Sequence, residues 1–543
     1  MQFYLKQIQW FCETYPIDAK VLIVPAMTVG HDVTVALARA EVSWVNLRIM
    51  TPIQLAQEDV LPQVIGEGWT QLVRDTDLFL VDALIPDVVR DLGDDYFAQQ
   101  APSLARSFLR TLRAIRAAGL EGVNDRSESV RHHLLDGLYR AYVEALVQDK
   151  VYDNATIYER ALADLKTDGT QYAILDGTPL PRLAFEYVRE KTKGRLCRIG
   201  YTQMGVALPV HCAGVRFEDV AVAEGEGEVG VGVRLFGLGL QDEDRDGVRL
   251  REALGIETEV RAVLRDLRAE QMALDEVEIV YTTENPYLSV LCDVLKRFDV
   301  PATFAGGLPV NTTRVGQAMI GFYRWIGSGF LAEEWVWLCR AGLVAFGEDA
   351  PTPHAVASLV RVARVGEGRA RYGEALARMK HRILERDPDG DDSFRGVRVA
   401  EIEAVADVLT RVLGVIPDGQ SVTLGDMATA GLQFLRAFVV KDENSAQEHV
   451  ASEALMGLLT QMQSVRYEGT LRSLASRLTE LVKEQVFGAS SAKPACVAVT
   501  PLALAGYSGR KHIYVVGMDE GAFPGGATED PLLLDGERAG LSG

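Results

Sequence analysis

The segment KHIYVVGMDEGAFP, residues 511–524, constrains the fold more than any other part of this chain. Ile513 to Val516 is an unbroken apolar run, which predicts a strand buried on both faces of a parallel sheet. Gly517 ends the run. Asp519, Glu520 and Gly521 form a polar turn at the strand's carboxyl end, the edge at which open α/β sheets bind ligands.

Earlier segments supply partners for such a strand. Val21 to Val24 reads as a buried first strand, residues 29–40 as a helix, and Val45 to Met50 as a second strand. Thr51 and Pro52 then suit the N-cap and first position of another helix. Strand–helix–strand–helix is the pattern of a parallel α/β sheet. Residues 68–165 are almost wholly helical in pattern. In the clearest case Leu104, Phe108, Leu112 and Ile115 share one face, opposite Arg106, Arg110 and Arg113. Strand signals return at 172–177 and 196–201. Residues 221–248, rich in Gly, Glu and Asp, read as a linker. A second α/β unit follows: helix 258–269, strand 277–282, helix 286–298 and strand 301–304. Helical pattern dominates 315–490, and the strand from 511 is expected to rejoin the sheet begun near 277.

A formal charge of −20 argues against a protein that coats DNA non-specifically, because phosphate neutralisation needs clustered Lys and Arg. It leaves room for a local basic channel. The six cysteines, at 12, 197, 212, 292, 339 and 496, show no CxxC or other metal-ligand spacing, so free thiols in a reducing cytosol are the simplest account. No basic region followed by an apolar run opens the chain, and no stretch of about 18 apolar residues predicts a membrane span. The expectation is a cytoplasmic protein with no membrane partner.

Residues 511–524, followed by EDPLLLDGER at 529–538, resemble the "GLNEGxFP … DPLLxDxER" region of the helicase-nuclease subunits called AddB or RexB, with their RecB-like and RecC-like relatives. SLARSFLRTLRAIRAAGL at 103–120 is similar to that family's helix ending in "LR.AGL". Residues 138–161, with Tyr139, Tyr142 and Asp153, are similar to its "Y..Y…D…A" segment. Leu175-Asp176-Gly177 resembles its "DGF" strand end, and Glu257 to Leu267, Glu278 to Tyr281 and Val300-Pro301 resemble its "EVR…I…L" and "giP" segments. Each motif alone is weak; their order along most of the chain carries the resemblance.

The resemblance implies an α/β fold of two RecA-like, superfamily 1 helicase-type domains, each with a largely helical insertion. The first domain would comprise 1–95 and 166–248 around an insertion at 96–165. The second would comprise 249–314 and 491–543 around an insertion at 315–490. In the family a PD-(D/E)XK nuclease domain follows, here beyond Gly543. Mg²⁺ and an iron–sulfur cluster would belong to that nuclease domain, and no cofactor is expected in this segment. The only local imitation of the nuclease motif, Asp136 with Gln148-Asp149-Lys150, has helical periodicity and reads as chance. The chain's end directly after a family motif suggests a fragment.

An ATP-driven motor needs GxxxxGK[ST] directly after its first strand, so that glycine amides wrap phosphate, Lys neutralises charge and the hydroxyl holds Mg²⁺. Here Pro25 stands for the first glycine, Gly30 survives, His31 replaces the lysine and Asp32 the hydroxyl residue. A carboxylate at that place repels phosphate. The plainer reading is that Gly30 starts a helix. The strand that should end in two acids offers only Asp176, which also suits a turn. Both losses describe a motor fold without its engine, and no catalytic residue is assigned. GxSxG and HExxH are absent, and His132-His133 reads as a solvated helix feature.

Three features point to nucleic acid. The stripe Arg106, Arg110 and Arg113 suits phosphates, or a solvated helix face. Residues 361–386 hold eight Lys or Arg against three Glu, a local reversal of the chain's charge that includes Arg361, Arg364, Arg378 and Arg382. Thr51, Thr282, Thr283 and Thr500 fall at strand ends, where superfamily 1 domains hold a single strand, or where Thr serves as a cap. Arg510 and Lys511 follow Thr500. The reading is a DNA-binding scaffold, inactive toward ATP, that receives a strand or duplex end from an AddA-like helicase-nuclease partner in double-strand-break repair and recombination. The rival is part of an active ATP-dependent helicase or deoxyribonuclease, and a third reading is an interaction protein that binds no DNA.

Overall fold

The computed structural model describes residues 2–73, 76–92, 95–123, 130–193, 195–200, 218–219, 249–386, 396–442, 445–465, 467–519, 523, 530, 532–534 and 536–538. The expected linker at 221–248 lies outside them. The chain is an α/β protein with parallel sheets, and it divides into two compact units. Unit 1 comprises Met1–Leu72, Leu84–Gly306 and Ala489–Gly543; unit 2 comprises Val73–Ala83 and Gly307–Gly488.

The chain begins with α1 (Gln2–Thr14), β1 (Lys20–Ile23), α2 (Met27–Arg39), β2 (Leu47–Met50) and α3 (Pro52–Gly66). Then come β3 (Thr70–Gln71), α4 (Asp77–Leu92), α5 (Asp95–Ala117), α6 (Val130–Gln148), β4 (Val151–Tyr152) and α7 (Asn154–Ala163). β5 (Gln171–Leu175), α8 (Arg182–Thr192), β6 (Leu196–Ile199) and β7 (Glu218–Asp219) complete a first parallel sheet of order β2-β1-β5-β6-β7. Its register places Val21 between Arg48 and Tyr172. Alternation sorts its side chains onto two faces. Val21, Ile23, Tyr172 and Ile174 join α3, α7 and α8 in one core, while Leu22, Val24, Ala173 and Leu175 join α1 and α2 in the other.

Local chemistry sets the helix starts. Thr51 caps α3 as expected: its hydroxyl accepts from the Gln54 amide, and Gln54 Oε1 accepts from the Thr51 amide at 2.9 Å. Asp153 caps α7 through the Thr156 amide at 2.8 Å. One ion pair lies inside the first core. Lys191 Nζ is 2.8 Å from both carboxylate oxygens of Asp59, and the Tyr187 hydroxyl donates to Asp59 at 2.7 Å.

From Ile256 onward run α9 (Ile256–Ala269), β8 (Val277–Tyr281), α10 (Tyr287–Arg297) and β9 (Ala302–Phe304). Unit 2 follows with β10 (Leu308–Pro309), α11 (Arg314–Gly327), α12 (Ala332–Arg340), α13 (Pro353–Val362), α14 (Arg369–Leu384) and α15 (Val399–Gly414). It continues through β11 (Val422–Thr423), α16 (Leu424–Ala437), α17 (Ala446–Met462), β12 (Glu468–Gly469), α18 (Leu471–Glu484) and β13 (Val486–Phe487). The central helix α11 is buried almost all round and packs along α18. Phe322 stacks on Phe434 at 4.1 Å, and Trp325 Nε1 donates to the Tyr372 hydroxyl at 2.7 Å. Glu448, itself buried, accepts the Arg314 and Val315 amides at 2.7 and 3.1 Å and so closes the helix's open N-terminus.

β14 (Val497–Pro501) and β15 (His512–Val516) return to unit 1 and complete a second parallel sheet, of order β15-β8-β14-β9. β15 pairs with β8, with Val516 opposite Tyr281. The expectation that β15 is buried on both faces is wrong. It is the edge strand, and Ile513 and Val515 are 52% and 40% exposed. The doubly buried strand is its neighbour β8, buried at every position. An apolar run specifies a strand but not its place in the sheet. Among the described residues no helix is long and apolar enough to cross a membrane.

Candidate functional site

A nucleotide motif would lie at the carboxyl edge of the first sheet. β1 ends at Ile23 and α2 begins at Met27, so only Val24, Pro25 and Ala26 lie between. Gly30 therefore does not start the helix but lies within it. A Cβ at Gly30 would come 2.6 Å from Ile49 Cγ2, so the missing side chain lets α2 approach β2. His31 points to solvent from α2. Asp32, also on α2, accepts the Ala492 amide at 3.1 Å. Burial pushes the Asp32 carboxyl above its ordinary range, and the nearby charge of Glu278 adds to this, against the Ala492 hydrogen bond, Arg510 and His31.

Asp176 follows β5 directly and is paired with Arg198. Its carbonyl accepts the Tyr507 hydroxyl at 2.5 Å. Gly200, after β6, lies so close that a Cβ there would overlap the Asp176 carboxylate. Gly200 is held by buried Gln7, which accepts its amide at 2.8 Å and donates to its carbonyl at 3.2 Å. Asp32 and Asp176 are thus both engaged with the segment that flanks β14.

The basic candidates divide. Arg106, Arg110 and Arg113 are exposed on α5, opposite buried Phe108, Leu112 and Ile115. In unit 2, Arg361 ends α13, Arg364 follows in a left-handed conformation (φ 54°), and Arg378 and Arg382 lie on α14; all four are exposed. Arg378 is 3.6 Å from Glu374. With Ala377 and His381, Arg378 and Arg382 line a groove of about 300 Å³. Arg369 from the same basic run instead binds the carbonyls of Leu413, Ile416 and Pro417.

The threonines and the Arg510-Lys511 pair fare differently. The Thr51 hydroxyl is engaged with Gln54, and the Thr282 hydroxyl donates to the Gly517 carbonyl at 2.6 Å. Thr283 is half-buried in the loop after β8, and Thr500 is buried within β14. Arg510 was expected to face DNA but is buried. Its Nη1 and Nη2 reach the carbonyls of Leu274, Val277, Cys496 and Lys493. Burial lowers its pKa below the ordinary value. Sequence position beside Thr500 could not show this, because those carbonyls come from two separated segments. Lys511 is exposed and pairs with Glu276.

Two clusters were missed. Arg116 is buried and bridges Asp153 and Glu159, with Thr156 Oγ1 at 3.0 Å. Burial opposes its charge, but both carboxylates together hold its pKa above the ordinary value. A cavity of about 430 Å³ beside it is lined by Leu120, Glu121, Tyr139, Val143, Glu159 and Leu183, with Arg116 itself and Gly119. Secondly, the C-terminal motif clasps unit 1 from within. Asp530 accepts the Thr111 hydroxyl at 2.8 Å and pairs with Arg538, and Glu537 pairs with Arg131 and with His132 at 3.2 Å. His132 is therefore buried and partnered, not solvated as its helical position suggested. The motif was visible in the sequence, whereas its partners some 400 residues away were not.

No group of three or more His, Cys, Asp or Glu suited to a metal ion occurs among the described residues. Asp136 lies on α6, where its carboxylate accepts the Val123 amide and pairs with Arg140. Comparison with protein-family profiles finds no match, and comparison with curated proteins finds none either.

Proposed function

We propose that this chain is the helicase-like part of an AddB/RexB-type or RecC-like subunit: two superfamily 1-type, RecA-like domains that bind DNA without hydrolysing ATP. The observation that carries the reading is the β1–α2 junction. Three residues between strand and helix leave little backbone to wrap a triphosphate, and the helix that follows presents Asp32, not a lysine. The expected DNA contacts narrow to exposed cations: Arg106, Arg110, Arg113 and Lys511 in unit 1, and Arg361, Arg364, Arg378 and Arg382 in unit 2. The mechanism is passive. A strand released by an AddA-like helicase-nuclease partner is held by phosphate contacts and guided onward, in double-strand-break repair.

The test measures binding of single-stranded DNA across a salt series, with ATP turnover followed in the same samples. Salt-sensitive binding without turnover supports the scaffold. Each phosphate contact contributes about −0.7 to the slope of log K against log salt for a single strand, so four contacts give roughly −3. Changing Arg361, Arg364, Arg378 and Arg382 to Glu should flatten the slope by about that amount. DNA-stimulated turnover would instead favour an active helicase, and unchanged binding in the fourfold variant would remove unit 2 from the DNA path.

A further inference from the structure

The segment between unit 2 and β15 does more than connect strands. Its base is fastened to the second sheet: Arg510 holds carbonyls ahead of β8 and β14, and the Ser508 hydroxyl donates to the buried Glu278 carboxylate at 2.7 Å. Its other contacts reach the carboxyl edge of the first sheet. Tyr507 is 8% exposed, its ring centroid lies 5.7 Å from that of Tyr4, and it joins the core formed by α1, α2, β1 and β5. Leu504 packs against the same core. The Tyr507 hydroxyl donates to the Asp176 carbonyl, and the Ala492 amide donates to Asp32. Gly177, at φ 80°, passes directly beneath, where a Cβ would be 3.0 Å from the Tyr507 oxygen.

This edge is where α/β sheets admit ligands, and the junction of two such sheets is where hinge motion occurs. We propose that residues 492–510 form an internal plug that holds the two sheets of unit 1 in one fixed arrangement, with Asp32 and Tyr507 as positioning residues. The plug fills the edge with an aromatic side chain and satisfies both a carboxylate and a strand-end carbonyl. Nucleoside triphosphate therefore leaves the arrangement unchanged. The inference extends the motorless reading above, but the fixed arrangement is independent of DNA.

The test is a spin–spin distance measurement on the whole chain. Nitroxides are attached through p-acetylphenylalanine at the exposed positions Gln63 on α3 and Ser289 on α10, which avoids the native cysteines. The expected result is one narrow distance distribution, identical with and without Mg-ATP. Asp32→Ala with Tyr507→Phe removes both hydrogen bonds and should widen it, while Asp32→Asn, which keeps an acceptor, should not. Hydrogen exchange in β1 and β8 checks that both sheets remain folded. If the double variant fails to fold, Asp32→Ala alone gives the reading. A wide distribution in the unmodified protein, a shift on adding Mg-ATP, or an Asp32→Ala/Tyr507→Phe variant as narrow as the parent would each overturn the plug. Absence of DNA binding by the unmodified protein, with one narrow distribution, would overturn only the scaffold reading.

Discussion

Lys191→Met removes the cation from the buried Asp59–Lys191 pair while keeping most of its side-chain volume. The side chains of the pair are 5% and 9% exposed, so water cannot replace the lost partner. Breaking such a pair costs about 3–5 kcal/mol, because a carboxylate is left buried without its charge partner. The low end, about 3 kcal/mol, applies here, because the Tyr187 hydroxyl remains on Asp59 Oδ2. That is roughly a hundredfold in the folded-to-unfolded ratio. Adding Asp59→Leu removes the stranded charge. Tyr187 then keeps the Leu55 carbonyl at 3.1 Å, and the double variant should recover to within about 1 kcal/mol of the parent. The assay is equilibrium urea unfolding, with hydrogen-exchange mass spectrometry on α3 and α8 to assign the transition to unit 1. A single-variant cost below about 1 kcal/mol would show that solvent screens the pair. A double variant as unstable as the single would show that packing, not charge, is what Lys191 supplies.

Three further outcomes are expected. Glu448→Ala leaves the buried Val315 amide without its acceptor, at about 1–3 kcal/mol, and also removes the acceptor of the half-buried Arg314 amide, and should lower the unfolding midpoint of unit 2 as followed by Trp325 and Trp335 fluorescence. Gly200→Ala drives a methyl group into Asp176 and should cost about 1–3 kcal/mol in a thermal melt, whereas the same change at open Gly457 should not. Burial raises the Asp153 carboxyl, but Arg116 and Thr156 outweigh it and leave its pKa below 3.8. A depressed folded pKa gives stability that is present above the unfolded value and is lost as pH falls through the folded one. Asp153→Asn should therefore destabilise the protein at pH 7 and flatten the fall in stability below about pH 4, read from urea midpoints across pH.

The sequence by itself determined the local elements. Val21 to Val24, the Thr51-Pro52 helix start, the opposed faces of α5 and the helical stretch after 315 were all legible, because periodicity and capping act over a few residues. It also showed that Pro25, His31 and Asp32 depart from a phosphate cradle. Only the tertiary structure decided which strand is interior and which is edge, and so exposed Ile513 and Val515 while burying β8. It alone turned Arg510 from a candidate DNA contact into a clamp on carbonyls, and buried His132 against Glu537. It also joined Asp32 to Ala492 across 460 residues. The physical reason is shared: a side chain's role follows from which groups meet it in space, and polar groups from distant segments are brought together only when both sheets have closed.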